Sequence, residues 1–90
     1  MQKVIITVVG KDAVGIIARV CTFMAEHNCN ILDISQTITG GYFNMMMVTD
    51  CEKSNLRFSE LRDGLDKIGQ EIGVMIHAQL EEIFEKMHRI

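Results

Sequence analysis

A glycine-flanked turn at Gly10–Gly15 is the segment whose residue types and spacing are best suited to chemistry. The β-branched run Val4–Val9 precedes it, and apolar residues at helical spacing begin at Ile16. A turn from a strand into a helix directs unpaired backbone N–H groups and the positive end of the helix dipole toward one point, which suits a carboxylate or another anion. The structural alternative is that Asp12 caps the helix while the glycines permit a tight turn. The sequence leaves both interpretations open.

Nucleotide-binding signatures are absent from this turn. It lacks the lysine–serine pair of a Walker loop, and its glycine spacing is not that of a dinucleotide fingerprint.

The histidines and cysteines do not form a catalytic or metal-binding pattern. The three histidines are far apart and unpaired with a nucleophile: His27, His77 and His88. The three cysteines contain no C-x-x-C pair: Cys21, Cys29 and Cys51. His27 and Cys29 could supply two metal ligands, but two ligands alone do not make a site. We expect reduced thiols, no metal, no cofactor and no enzymatic activity.

Three consecutive methionines, Met45–Met47, occupy a predicted strand. Neighbouring side chains on a strand point to opposite faces, so the three thioethers cannot converge on a copper ion. We expect Met45 and Met47 in a helix-covered core, with Met46 on the other face of the sheet.

The first half of the chain predicts a strand, a helix and a second strand. Residues 2–9 read as a strand buried on both faces. A helix capped by Asp12 follows, and it ends near His27 and Asn28, where asparagine can adopt a left-handed conformation. Residues 30–39 alternate between apolar and polar types, which predicts a half-exposed strand with Leu32, Ile34 and Ile38 on one face.

The second half predicts a hairpin, a helix and a last strand. Gly40-Gly41 is a strong hairpin pattern, and residues 42–49 should return antiparallel. Ser54 or Asn55 caps a helix that ends at Gly73, and residues 74–79 form a short strand. The order β-α-β-β-α-β predicts an α+β, ferredoxin-like fold: a four-stranded antiparallel sheet with two helices on one face.

A short amphipathic helix is predicted after residue 79, so we divide the chain into a domain at 1–79 and a C-terminal extension at 80–90. A helix this short is marginal alone, so its apolar side should cover the open sheet face or seal a dimer. The predicted interface consists of Met46, Val48, Leu80, Ile83, Phe84 and Met87.

Composition limits the class of protein. The chain has 90 residues, 48% of them apolar, and a formal charge of −3. This apolar content excludes intrinsic disorder, and for so small a domain it favours a partner subunit. The acidic balance argues against nucleic-acid binding. The sequence has neither a membrane-spanning apolar run nor a secretory signal, so we expect a cytoplasmic protein.

Two segments resemble the ACT domain, a small amino-acid-sensing regulatory module. They are Gly10-x-Asp12-x-x-Gly15-Ile16-Ile17-Ala18, and Asn30–Ile34 at the start of the second strand. The resemblance covers roughly residues 2–79. The ending Met87-His88-Arg89-Ile90 further resembles a group of stand-alone ACT proteins.

The resemblance implies a homodimer, often paired edge to edge through the second strand, with a small ligand between subunits. The ligand would meet the first loop of one chain and the start of the second strand of the other. The implied ligand-binding residues are Gly10, Lys11, Asp12, Ala13, Val14, Gly15, Asn30, Ile31, Leu32 and Asp33. An amino acid would be the ligand, and an unidentified regulated protein the partner. The alternative is an interaction module without a ligand; an RNA-recognition module is disfavoured by the charge and the missing stacking aromatic.

Overall fold

Helices and strands follow one another in the order that the sequence predicts. The computed structural model describes residues 1–11 and 15–82. Its elements are β1 (Lys3–Lys11), α1 (Ile16–Glu26), β2 (Asn30–Thr39), β3 (Tyr42–Asp50), α2 (Phe58–Ile72) and β4 (Val74–Leu80). This order and the antiparallel sheet confirm the predicted α+β, ferredoxin-like fold.

The sheet has the strand order β2-β3-β1-β4. All three neighbouring pairs are antiparallel, so β1 and β2 run in the same direction on either side of β3. The hairpin strand β2 lies at one edge of the sheet, and β4 lies at the other.

The core lies between the helices and one face of the sheet. On β1 the alternating residues Val4, Ile6 and Val8 are buried and belong to the core cluster, as β-branched side chains on the covered face of a strand should. The opposite face of β1 is only partly buried, because Ile5 is buried but Val9 is exposed. The prediction of a strand buried on both faces was therefore wrong at its end, where the strand also continues to Lys11.

The start of α1 differs from the prediction. The N-cap is Gly15, in a left-handed conformation at φ 86°, so the interpretation of Asp12 as N-cap was wrong. Asp12 itself lies outside the described residues. The end of α1 agrees with the prediction: Asn28 is left-handed at φ 61°, and the N–H of Cys29 then bonds the carbonyl of Met24.

Strand β2 has the predicted bounds but not the predicted burial. Apart from half-buried Ile31, its residues are exposed on both faces. As an edge strand it has a strand neighbour on one side only, which leaves both faces less covered. A β-bulge between Ile31 and Asp33 also interrupts the predicted alternation at Leu32.

The hairpin confirms the predicted turn and methionine placement. Gly40 and Gly41 have φ of 59° and 83°, as a primed two-residue turn requires. Met45 and Met47 are buried in the core, whereas Met46 is 40% exposed on the other face.

Helix α2 begins later than predicted. Arg57 is its N-cap, and the Arg57 N–H donates to Glu60 Oε1 at 3.0 Å. Ser54 instead accepts a hydrogen bond from the Leu56 N–H at 3.0 Å, which forms a turn before the helix. Gly73, at φ 77°, ends the helix as predicted.

Strand β4 takes in Leu80, which the sequence assigned to the C-terminal helix. Of the predicted tail interface, Leu80 is half-buried, and Ile83, Phe84 and Met87 lie outside the described residues, as does the Met87–Ile90 ending.

Candidate functional site

The two halves of the predicted ligand site lie at opposite ends of the sheet. Gly10 is aligned with Phe43 on β3, and Asn30 is aligned with Asp50 on the same strand. Phe43 and Asp50 are seven residues apart, which corresponds to about 23 Å along the strand. One chain therefore does not bring the loop half and the β2 half together.

The loop half is described at Gly10, Lys11 and Gly15. Lys11 is exposed at the end of β1, aligned with Tyr42. Gly15 is exposed, and its carbonyl accepts the Arg19 N–H at 2.9 Å. Gly15 is four residues after Lys11, so their Cα atoms can lie at most about 14 Å apart. The other three predicted residues, Asp12, Ala13 and Val14, lie outside the described residues.

Gly10 has a structural role of its own. A Cβ on this residue would lie 2.7 Å from Val74 Cγ1, so the absence of a side chain lets β4 pack beside β1. This close approach explains the glycine without a ligand.

The β2 half presents an amide and a carboxylate on one face. Asn30 is aligned with Asp50 and Asp33 with Val48, and these two partners, two residues apart, share a face of β3. In a regular strand, residues three apart face opposite ways. The bulge at Leu32 is what places Asn30 and Asp33 together on the face away from the helices. No sequence pattern indicated this bulge.

Exposed aliphatic side chains occur along β2, both within the predicted site and beyond it. Leu32, Ile34 and Ile38 are exposed, Ile38 at 61%. Asp33 is the one charged residue of β2, and the strand has neither lysine nor proline. Natural edge strands commonly carry lysine, other charged residues or proline, which prevent pairing with another chain. Ile34 and Ile38 lie outside the predicted interface, although their apolar type among the polar residues of this strand distinguishes them in the sequence.

Two residues of the predicted open-face interface lie among the described strands. Val48 is half-buried and Met46 exposed on the sheet face opposite the helices. Met75, at 75% exposure, lies on the same face, because it is aligned with Val9 across from the core.

A groove between α1 and α2 begins at Gly15. Its apolar floor includes Phe23 and Ile68, and an ion pair between Arg19 and Glu71 crosses it. Among the described residues, this groove shares only Gly15 with the predicted site, and its other lining residues belong to the two helices.

Among the described residues, the groups whose pKa values shift are two cysteine thiols away from the loop. Burial raises the pKa of Cys51 from 9.0 to about 12, with a further contribution from a hydrogen bond to Cys29. Burial also raises the pKa of Cys21. Within residues 1–11 and 15–82, no group of three or more histidine, cysteine or acidic residues could hold a metal ion. No helix in these ranges is long and apolar enough to cross a membrane.

Comparison with known families agrees with this architecture. The family model for the ACT domain matches residues 2–79. This chain belongs to the ACT domain family. ACT domains are small regulatory modules that bind ligands and commonly dimerise.

Relatives of the whole chain are similarly short. A UPF0237 protein of Bifidobacterium longum is 59% identical over 90 residues. The match covers the full length of both chains. An ACT domain protein from Streptococcus pneumoniae is 45% identical with a TM-score of 0.81, over 93% of this chain and 94% of that one.

The fold also recurs inside a larger protein. A formyltetrahydrofolate deformylase from Pseudomonas syringae superposes with a TM-score of 0.81 at 23% identity, over 89% of this chain and 28% of that chain. This likeness extends to the fold alone.

Proposed function

We propose that this ACT domain is a non-catalytic regulatory module that binds an amino acid, or a similar small metabolite, between two copies of itself. The observation that carries the proposal is the separation of the two predicted half-sites, about 23 Å apart along one sheet. A ligand of amino-acid size cannot touch both within one chain, but two copies can supply one half each.

Antiparallel pairing of β2 with β2 of a second copy would unite the halves. In such a pair, Asn30 of the second copy lies beside the end of β2 at Thr39. Thr39 is aligned with Tyr42, and Tyr42 with Lys11, so this is the loop end of the sheet. A two-fold axis near the middle of β2 would therefore create two equivalent sites.

The edge of β2 is suited to this pairing. Within residues 1–11 and 15–82, no strand pairs with its outer edge, and its exposed aliphatic residues are Leu32, Ile34 and Ile38. Burying them in a dimer would account for part of the high apolar content of the chain.

The two halves offer complementary chemistry for an amino acid. The loop half has the Lys11 ammonium and the start of α1, both suited to a carboxylate. The β2 half has Asn30 and Asp33 on one face, where the carboxylate can pair with an ammonium. A zwitterion bridging two subunits would thus meet opposite charges at its two ends.

Regulation follows if the ligand prefers the paired state. Binding between copies stabilises the dimer relative to the monomer, because a ligand shifts an equilibrium by its difference in affinity for the two states. A partner protein that recognises the dimer would then respond to the metabolite.

The test is calorimetric titration with each of the twenty amino acids, alongside sedimentation equilibrium. We expect a dimer, and heat from one or a few amino acids that saturates at one ligand per chain. A monomer that gives no heat with any amino acid would refute the proposal.

An interaction module without a ligand is the second candidate, favoured by the contact of Gly10 with Val74, which gives that glycine a structural reason. Substituting Lys11 discriminates, because its side chain is exposed and the change should leave folding intact. Unchanged dimerisation with lost amino-acid heat supports the ligand-binding module; a dimer that never binds an amino acid supports the second candidate.

A further inference from the structure

Cys29 and Cys51 face each other just beyond the end of the β2–β3 ladder. The first aligned pair of the ladder is Asn30 with Asp50, and each cysteine is one residue further out. Both side chains belong to the core cluster, with exposures of 6% and 3%. Two buried cysteines thus flank the same end of the ladder, one directly before β2 and one directly after β3.

The two thiols are close enough to interact, since Cys29 is among the groups that raise the pKa of Cys51. The Cys51 sulfur also lies 3.4 Å from Thr49 Oγ1. The Cys29 thiol donates to the His27 carbonyl at 3.8 Å. Both cysteines are free thiols.

The backbone geometry is compatible with a covalent bond. Opposing residues of antiparallel strands have Cα atoms about 4.5–5.5 Å apart. Disulfides accept Cα separations of about 4.4–6.8 Å. A bond between these two sulfurs therefore requires rotation of side chains more than movement of strands.

We propose that Cys29 and Cys51 are a disulfide-forming pair that staples the start of β2 to the end of β3 when the protein meets a low-molecular-weight disulfide. In the first step, the thiolate of one cysteine attacks the reagent, forming a mixed disulfide and releasing one reagent thiol. The second cysteine then loses its proton, attacks the protein sulfur of that mixed disulfide and releases the second reagent thiol. The protein loses two protons and two electrons, and the reagent disulfide gains them and is reduced to two thiols.

Burial makes this staple slow to form and slow to break. Both reduced thiols are buried, and burial raises the pKa of Cys51, so exchange requires local opening. The Cys51 N–H bonds the Gln2 carbonyl, so detachment of the first residues would expose Cys51. Once closed, the bond would be shielded from reductants in the same way.

The staple would act on the β2 half of the predicted site. Asn30 directly follows Cys29, and the bulge at Leu32 lies two residues further on. Linking Cys29 to β3 would restrict the opening of this end of β2. The proposal does not depend on whether a ligand binds there.

Cys21 provides the internal control. It lies on α1, is half-buried and is not among the interaction partners of Cys51. A reagent that simply modifies the more accessible thiol would react there.

The test is incubation of the reduced full chain with oxidised glutathione, followed by alkylation in denaturant, intact mass measurement and peptide mapping. We expect a product lacking two hydrogens, one alkylated thiol at Cys21, and a disulfide-linked pair of peptides containing Cys29 and Cys51. The thermal midpoint should rise by roughly 10 °C or more, because the bond restricts the unfolded chain. Cys21→Ser should behave like the wild type, and Cys29→Ser and Cys51→Ser should both lose the linked product.

Three alkylated thiols after long incubation would overturn the proposal. So would glutathione adducts as the sole products, or a linked peptide pair that contains Cys21. The peptide map of the wild-type chain decides between these outcomes. It does so even if a cysteine variant fails to fold.

Discussion

Gly10 and Asn30 lie at opposite ends of one antiparallel sheet, aligned with residues of β3 that are seven positions apart. β1 and β2 run in the same direction, so the loop after β1 and the start of β2 cannot meet within one chain. A second chain paired antiparallel along β2 removes this separation. The dimer is thus a requirement of the proposed site and not an addition to it.

Ile38→Lys should weaken the dimer. Ile38 is 61% exposed on the β2 edge, so a lysine costs the monomer little but would place a charge in the paired interface. We expect the dimer dissociation constant to rise about 10- to 100-fold, or about 1.4–2.7 kcal/mol, by sedimentation equilibrium.

Met75→Lys is the matched control, because Met75 is also exposed but lies on the open sheet face. It should leave the dimer unchanged. If the Met75 variant dissociates and the Ile38 variant remains a dimer, the interface instead lies on the open face, with Met46 and Val48.

Two binding-deficient variants should complement each other when mixed. Lys11→Ala removes a cation from the loop half, and Asn30→Ala removes an amide from the β2 half. In a mixed dimer, one site receives both intact halves and the other neither. We expect calorimetric titration of the equilibrated mixture to recover up to about a quarter of the wild-type sites at high affinity, since random mixing makes half the dimers mixed.

The absence of any recovery from a mixture shown to exchange subunits would mean that each site is built within one chain. Each variant titrated alone at the same total concentration provides the baseline.

Gly10→Ala should destabilise the fold through Val74. The new Cβ would lie 2.7 Å from Val74 Cγ1, so one strand must shift. Urea denaturation should show a loss of about 1–3 kcal/mol, typical of overpacking.

Val74→Ala removes the clashing methyl, so the double variant should be more stable than the sum of the two single changes predicts. Strict additivity would show that the glycine is not required for this contact.

Stability should fall at alkaline pH through Cys51. Its pKa is raised from 9.0 to about 12 in the folded protein, so the unfolded chain loses this proton first. The unfolded state then binds fewer protons than the folded state between these values, and the free energy of unfolding decreases as pH rises through them.

Cys51→Ala should show a shallower decline over the same pH range in urea titrations. Parallel curves for the two proteins would mean that the thiol ionises equally in both states.

Local pattern predicted the elements of this domain well, because helix and strand periodicity depends on neighbouring residues. The bounds of β2 and the burial of Met45 and Met47 follow from alternation alone. The helix starts did not follow: Gly15 rather than Asp12 precedes α1, and Ser54 is used in a turn. Polar residues near a helix start can serve either purpose, and the choice depends on the path of the loop.

Features that depend on contacts between distant parts of the chain could not be predicted from the sequence. Whether β2 is half-covered depends on strand order, and the bulge at Leu32 depends on register with β3. The bulge decides that Asn30 and Asp33 share a face. The candidate residues could therefore be named from the sequence, but their distribution over the two ends of the sheet could not.

Isotope-filtered NOE spectroscopy on an equal mixture of ¹³C-labelled and unlabelled protein tests the dimer most directly, since it detects only contacts between copies. Antiparallel β2 pairing with Asn30 beside Thr39 predicts NOEs between the methyl groups of Ile38 in one copy and Ile31 in the other. Intermolecular NOEs confined to the open face at Met46 and Met75, or Ile38 contacting only Ile38 of the second copy, would contradict the account.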